Sequence, residues 1–67
     1  MSIEVSQSVF DGIEAVRKSG KTNMLDKYGV ARLAMDMGYH DAAVWVNEID
    51  NGTYGRLIFE GPTVQQS

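Results

Sequence analysis

The side chains that could carry out acid–base or metal chemistry are few and scattered. His40 is the single histidine, and imidazole is the side chain that ordinarily titrates near neutrality. The chain has no cysteine, and its carboxylates are not grouped in a metal-ligand pattern. No nucleophile stands beside a recognisable base in the sequence. The sequence therefore predicts a protein that is not an enzyme, with no catalytic residues, no metal site and no cofactor.

The run Ser19-Gly20-Lys21-Thr22 matches only the end of a phosphate-binding loop. The full motif requires another glycine five positions before Gly20, where Ala15 stands, and a preceding buried strand. The preceding segment instead has helical spacing. We expect Gly20 to end a helix in the left-handed conformation and Lys21 to be solvated.

Residues 34–44 have the spacing of a helix-turn-helix. Ala34 would be the small residue of the first helix, Gly38 the turn residue and Val44 the buried position of the second helix. That second helix carries no Arg or Lys, and it includes Glu48 and Asp50, which DNA phosphates repel. We therefore favour a plain helical hairpin, and we keep a small helix-turn-helix-like DNA-binding regulator using residues 30–50 as the alternative function.

The charge is acidic overall and unevenly distributed. The net charge is -3, with five basic and four acidic residues in 1–34 but one basic and five acidic residues in 35–67. Overall acidity argues against a general nucleic-acid-binding protein, because such proteins displace counterions with positive charge. An acidic second half could instead attract a basic partner.

The chain has 67 residues, so it is expected to form one domain with a small core. A chain of this size buries only about 60% of its unfolded surface, and here no disulfide supplements the core. We therefore expect a homodimer or a bound macromolecule. No apolar run approaches the ~20 residues of a membrane span, and residues 1–5 lack a signal-peptide pattern. The expected location is the cytoplasm, with no membrane partner.

Apolar residues at helical spacing predict an all-α fold, a small bundle of three to four short helices. Ser6 or Ser8, then Asn23, and then Asp41 are the expected helix caps. The predicted ranges are 7–18, 24–37 and 41–50 for the first three helices, with loose termini over 1–5 and 62–67 in a single domain covering 1–67.

The last element is ambiguous in the sequence. Tyr54, Leu57 and Ile58 fit a helix, whereas Leu57 and Phe59 on one side fit a strand. A single strand would have no partner elsewhere in the chain and would be unstable. We therefore predict a helix over 53–60, after a break at residues 51–52.

Without evident chemistry, the domain is expected to work by contact. Aromatic and methionine side chains are enriched in partner contacts, and acidic residues steer basic partners. Met35 lies off the apolar stripe of the second helix, which makes it the leading candidate for an exposed apolar contact. The candidate partner-binding residues are Phe10, Asn23, Met24, Met35, Tyr39, His40, Trp45, Glu48, Asp50 and Tyr54.

A pattern of residues over the segment 13–61 carries a family resemblance, and its most specific part is SGKTNMLDKYGVARLAMDMGY. The residues of the pattern are Ile13, Val16, Arg17, Gly20, Thr22, Asn23, Met24, Asp26, Val30, Arg32, Ala34, Gly38, Glu48, Tyr54, Ile58 and Gly61. With these residues the segment resembles a family of very short phage and prophage proteins, a domain of unknown function. The resemblance implies a mobile-element origin and an all-helical fold, and it implies no activity.

Short phage proteins without an active site commonly bind a host or viral protein, and this association gives the expected function. We expect a phage or mobile-element accessory protein that acts by protein–protein binding in the host cytoplasm. The most specific version is an inhibitor of a host antiviral defence complex such as a CRISPR effector.

Overall fold

A computed structural model describes residues 3–64 of the chain. This part of the chain contains four helices and two short strands. In chain order the elements are β1 (Ile3–Val5), α1 (Gln7–Ser19), α2 (Lys27–Asp36), α3 (His40–Glu48), α4 (Asn51–Glu60) and β2 (Pro62–Val64). The predicted all-α small bundle is confirmed, and the ambiguous last element is a helix.

Helix α1 begins and ends at residues that the sequence predicts. The Ser6 hydroxyl accepts a hydrogen bond from the Val9 amide at 3.3 Å, which satisfies one free amide of the first turn. Gly20 ends the helix with φ +66°, in the left-handed region where a side chain would be strained. Arg17 and Lys18 occupy the last turn, at the negative end of the helix dipole.

Helix α2 begins three residues later than predicted. The Asn23 side-chain oxygen accepts from the Leu25 amide at 2.9 Å and so forms a local turn instead of a helix cap. The cap is Asp26, whose carboxylate accepts from the Gly29 amide at 3.1 Å. The predicted cap at Asn23 is therefore wrong, because two side chains that can each cap a helix stand three residues apart.

The capping of α3 and α4 also differs from the prediction. Asp41 lies inside the first turn of α3, and no side chain caps that helix. Asp50 caps α4 by accepting from the Thr53 amide at 3.0 Å. Asn51 and Gly52, predicted as a break, therefore form the first turn of α4.

The core lies where the inner faces of the four helices meet β1. Val16, Val30, Val46 and Leu57 are completely inaccessible to solvent, one from each helix. Met37 follows Val30 and Ala34 at helical spacing, yet it is exposed at the cap position that ends α2. The buried apolar residues are Val5, Val9, Ile13, Val16, Val30, Ala31, Ala34, Ala42, Ala43, Val46, Tyr54 and Leu57.

Helices α1 and α3 approach each other closely at Gly12. A Cβ atom added at Gly12 would overlap the Cβ of Ala42 and come within 2.9 Å of the Cβ of Tyr39. These are atoms close to the backbone that cannot swing away, so glycine is required at this position.

The two ends of the described chain pair with each other. Strands β1 and β2 form a parallel two-stranded sheet in which Ile3 faces Pro62 and Val5 faces Val64. The sequence predicts loose ends over 1–5 and 62–67, and the remaining residues of those two ranges lie outside the described part. Two three-residue strands from opposite ends of a chain carry no local signal that would reveal their pairing.

Candidate protein-binding surface

Three of the exposed large apolar side chains gather in one groove between α2 and α3. Tyr28, Met35 and Val44 are 65%, 44% and 49% exposed. We call this site the α2–α3 groove; it has a volume of about 260 Å³ and is lined by Tyr28, Ala31, Arg32, Met35, Ala43, Val44 and Asn47. Clustered exposed apolar side chains are typical of interaction surfaces, whereas scattered single ones are ordinary.

The groove is positioned by a tight turn between its two helices. Gly38 adopts φ +92°. Its amide donates to the Met35 carbonyl at 3.0 Å, and the Tyr39 amide donates to the Ala34 carbonyl at 2.8 Å. These bonds end α2 and turn the chain into α3, so the two helices form an antiparallel hairpin.

The open end of the hairpin is fixed by Lys27. Its side chain is buried, and its ammonium group donates to the Asn47 carbonyl, at the end of α3, at 3.2 Å. A cation at this position also favours the negative end of the α3 dipole. The same ammonium lies 4.9 Å from the centre of the Tyr28 ring. Lys27 therefore holds both helices together and positions one wall of the groove.

Arg32 is the charged residue in the lining of the groove. It is exposed, and within residues 3–64 its guanidinium makes no ion pair. By contrast, Arg17 pairs with Glu14 at 3.2 Å. Arginine, tyrosine and methionine are the residue types enriched at protein interfaces, so the composition of this groove suits protein binding.

Among the predicted site residues, Met35 lines the groove, whereas Glu48 is exposed on α3 and does not line it. Tyr28, Arg32 and Val44 are not among the predicted candidates although they line the groove. Tyr28, Arg32 and Met35 stand at helical spacing on a face of α2 adjacent to its buried stripe, and this second stripe is the signal that could have found them.

Val44 is the clearest correction to the helix-turn-helix prediction. The motif requires burial at this position, yet Val44 is exposed. The inward positions of α3 are instead Ala42, Ala43 and Val46. The hairpin therefore has the helix order of the motif but presents a different face of its second helix to the core.

Three of the predicted candidates have roles in the fold itself. Tyr54 is buried, and its hydroxyl donates to the Met24 carbonyl. Burial and the nearby Asp26 carboxylate raise the pKa of Tyr54 to about 12. The side chain of Thr53 and its amide donate hydrogen bonds to Asp50 and lower the pKa of that carboxyl. Asn23 forms the turn before α2.

A second cleft, of about 270 Å³, contains His40 and Tyr39. It is lined by Ser8, Asp11, Gly38, Tyr39, His40 and Asp41. The Ser8 hydroxyl donates to the Asp41 carboxylate at 3.1 Å, in an exposed position. Both side chains are exposed, so this hydrogen bond links α1 to the start of α3 at the surface.

The remaining candidates are distributed around α1 and α3. Phe10 and Tyr39 lie together in a shallow depression beside Lys18 and Glu14. Met24 and Trp45 are half-buried and pack against the core. Within residues 3–64, no cluster of three or more His, Asp or Glu side chains could hold a metal ion. In the same range, no helix is both long enough and apolar enough to span a membrane.

Comparison with known families gives one match. The family described as Domain of unknown function (DUF5049) matches residues 5–62. The chain belongs to this family. The match runs from the end of β1 to the start of β2, so the DUF5049 domain includes all four helices and the α2–α3 groove. No curated protein and no solved structure matches the chain.

Proposed function

We propose that this DUF5049 domain acts by binding a protein partner through the α2–α3 groove. The observation that carries the proposal is the clustering of Tyr28, Met35 and Val44, which leaves three large apolar side chains exposed side by side. Leaving such a cluster in water is unfavourable, and a partner that covers it would recover the free energy of apolar burial.

The experiment compares capture of partners by matched variants of the intact domain. Val44→Asp places a charge in the groove, whereas Phe59→Asp makes the same kind of change at a side chain that is 90% exposed on α4 and does not line the groove. The expected result is a protein that the wild type and Phe59→Asp both retain and Val44→Asp loses. If every captured protein binds the two variants equally, the groove is not the binding site.

The setting we propose is a phage or other mobile element, with the partner belonging to a host antiviral defence complex such as a CRISPR effector. Its support is the sequence resemblance over residues 13–61 and the acidic second half of the chain. Expression of the protein should raise the plating efficiency of a targeted phage on a host with active defence, and Val44→Asp should abolish that effect. Equal plating with and without the protein, across several defence types, would contradict this setting.

A DNA-binding regulator using residues 30–50 is the second candidate, favoured by the helix order of the hairpin. The exposed face of α3 opposes it, because Asp41 and Glu48 lie there and no Lys or Arg does. This candidate predicts salt-dependent gel shifts of duplex DNA that weaken with Arg32→Ala. Absence of any shift at low salt eliminates it.

A further inference from the structure

We propose that the α2–α3 groove takes an amphipathic helix of the partner, which inserts a large apolar side chain beside Met35 and Val44 and places a carboxylate opposite Arg32. This inference rests on the proposed function and specifies the chemistry of the partner. It is carried by three features of the groove: the spacing of its residues, its small floor and its single unpaired cation.

The spacing on α2 is that of a helix-binding surface. Tyr28, Ala31, Arg32 and Met35 stand at i, i+3, i+4 and i+7, and all four line the groove. A helix presents such a stripe to a neighbouring helix. The buried side of α2, to which Ala31 also belongs, is already covered by the core. The exposed side chains of Tyr28, Arg32 and Met35 form a further helix-packing surface that no element in residues 3–64 covers.

The floor of the groove is made of small side chains. Ala31 and Ala43 lie between the larger walls formed by Tyr28, Met35 and Val44. The volume of about 260 Å³ is below the roughly 300–1,000 Å³ that is typical of small-molecule sites. An open groove of this size suits one or two inserted side chains of a partner helix, in the way that amphipathic helices bind apolar grooves.

The charge in the groove selects a carboxylate. Arg32 forms no ion pair within residues 3–64, and a guanidinium binds a carboxylate through two parallel hydrogen bonds. Asp36 and Asp41 lie near the turn end of the hairpin, and Glu48 lies at its open end. These three exposed carboxylates repel a uniformly acidic helix, so the favourable place for an acidic residue is the centre, opposite Arg32.

The test is selection from a displayed library of randomised helical peptides on the immobilised intact domain. The baits are the wild type, Arg32→Glu and, as a charge-matched control, Lys21→Glu, whose side chain is exposed outside the groove. We expect the wild type and Lys21→Glu to enrich peptides with large apolar residues at i and i+3 or i+4 and an Asp or Glu between them. Arg32→Glu should enrich Lys or Arg at that same position.

A selected peptide then gives a quantitative check. Replacing its acidic residue by the neutral amide should weaken binding to the wild type about tenfold and leave binding to Arg32→Glu unchanged or tighter. Far-ultraviolet circular dichroism of each bait verifies that the variants are folded.

Three outcomes would overturn the inference: groove-dependent peptides without acidic enrichment, the same peptides selected by Arg32→Glu, or no groove-dependent peptide at all. A concentration-dependent dimer that Val44→Asp abolishes would also overturn it, because a second copy would then fill the groove. The proposed function is judged separately: a captured protein that is lost with Val44→Asp but retained by Arg32→Glu keeps the function and eliminates this partner chemistry.

Discussion

The two faces of the α2–α3 hairpin have similar side chains and opposite environments. On the inner face, Val30 and Val46 are inaccessible to solvent. On the outer face, Met35 and Val44 are almost half-exposed, and they line a groove that nothing else in residues 3–64 fills. The inner face stabilises the fold by burying apolar side chains, whereas the apolar side chains of the outer face remain partly exposed to water. The proposed binding of a partner rests on this difference.

The largest expected effect comes from making the same substitution on each face of α3. Val46→Asp buries a carboxylate without a partner and should unfold the domain, because an unpaired buried charge costs several kcal/mol in a fold of small total stability. Val44→Asp should change the free energy of unfolding by no more than about 0.5 kcal/mol. Urea denaturation followed by circular dichroism measures both, and similar losses would show that Val44 also supports the core.

A buried tyrosine and an exposed tyrosine should respond differently to loss of the hydroxyl. Tyr54→Phe leaves the Met24 carbonyl without its hydrogen bond and should cost about 1–3 kcal/mol. Tyr28→Phe changes an exposed ring and should be nearly neutral.

Comparison of the wild type with Tyr54→Phe also gives a pH test. The folded pKa of Tyr54 is about 12, above the ordinary value of 10.0. The neutral form is therefore favoured by the fold, and its contribution is complete below pH 10 and is lost as the pH rises toward 12. Over this interval the wild type should lose more of its free energy of unfolding than Tyr54→Phe, which has no phenol to ionise. If the free energies of unfolding of the two proteins change with pH in parallel, the raised pKa of Tyr54 is contradicted.

Two glycines sharpen the contrast between tight and open packing. Gly12→Ala forces a methyl group against Ala42 and should destabilise the domain by about 1–3 kcal/mol. A Cβ atom added at Gly55 in α4 would meet no atom of a neighbouring element within 4 Å. Gly55→Ala should therefore stabilise the domain by about 0.4–1 kcal/mol. Thermal melts of the two variants should therefore shift in opposite directions from the wild type.

A modest effect is expected at Lys27, the residue that joins α2 to α3. Lys27→Met keeps the apolar stem but loses the hydrogen bond to the Asn47 carbonyl, at a cost of about 1 kcal/mol. Lys21→Met, at an exposed lysine, should leave the free energy of unfolding unchanged. A groove that keeps its affinity for a selected peptide in Lys27→Met would show that Tyr28 does not depend on this contact for its position.

The helices could be predicted from the sequence because their signals are local. Val9, Ile13 and Val16 repeat at helical spacing, and Gly20 stops the first helix as predicted. The helix starts were less accurate because Asn23 and Asp26 compete as caps, and only the packed structure decides between them. The pairing of the terminal strands could not be read from the sequence, since it depends on contacts between residues about sixty positions apart.

The candidate site was predicted only in part. Met35 could be identified because it lies off the core stripe, and it is exposed in the groove. Val44 was expected to be buried because the helix-turn-helix spacing assigns an inward position to it, whereas α3 turns Ala42, Ala43 and Val46 inward. Tyr54 differs in the opposite way: it was a candidate for partner contact, but its side chain is buried and its hydroxyl donates to the Met24 carbonyl.

The pairing of β1 with β2 has a topological consequence. The ladder brings residues 3–5 beside residues 62–64, so the two ends of the described range are neighbours in space without a covalent bond between them. A short peptide linker could join these two strands, and new ends could then be opened beside Lys21, an exposed residue that follows the end of α1. In that rearranged chain α1 would follow α4 instead of preceding α2, and the α2–α3 hairpin with its groove would keep its own sequence order.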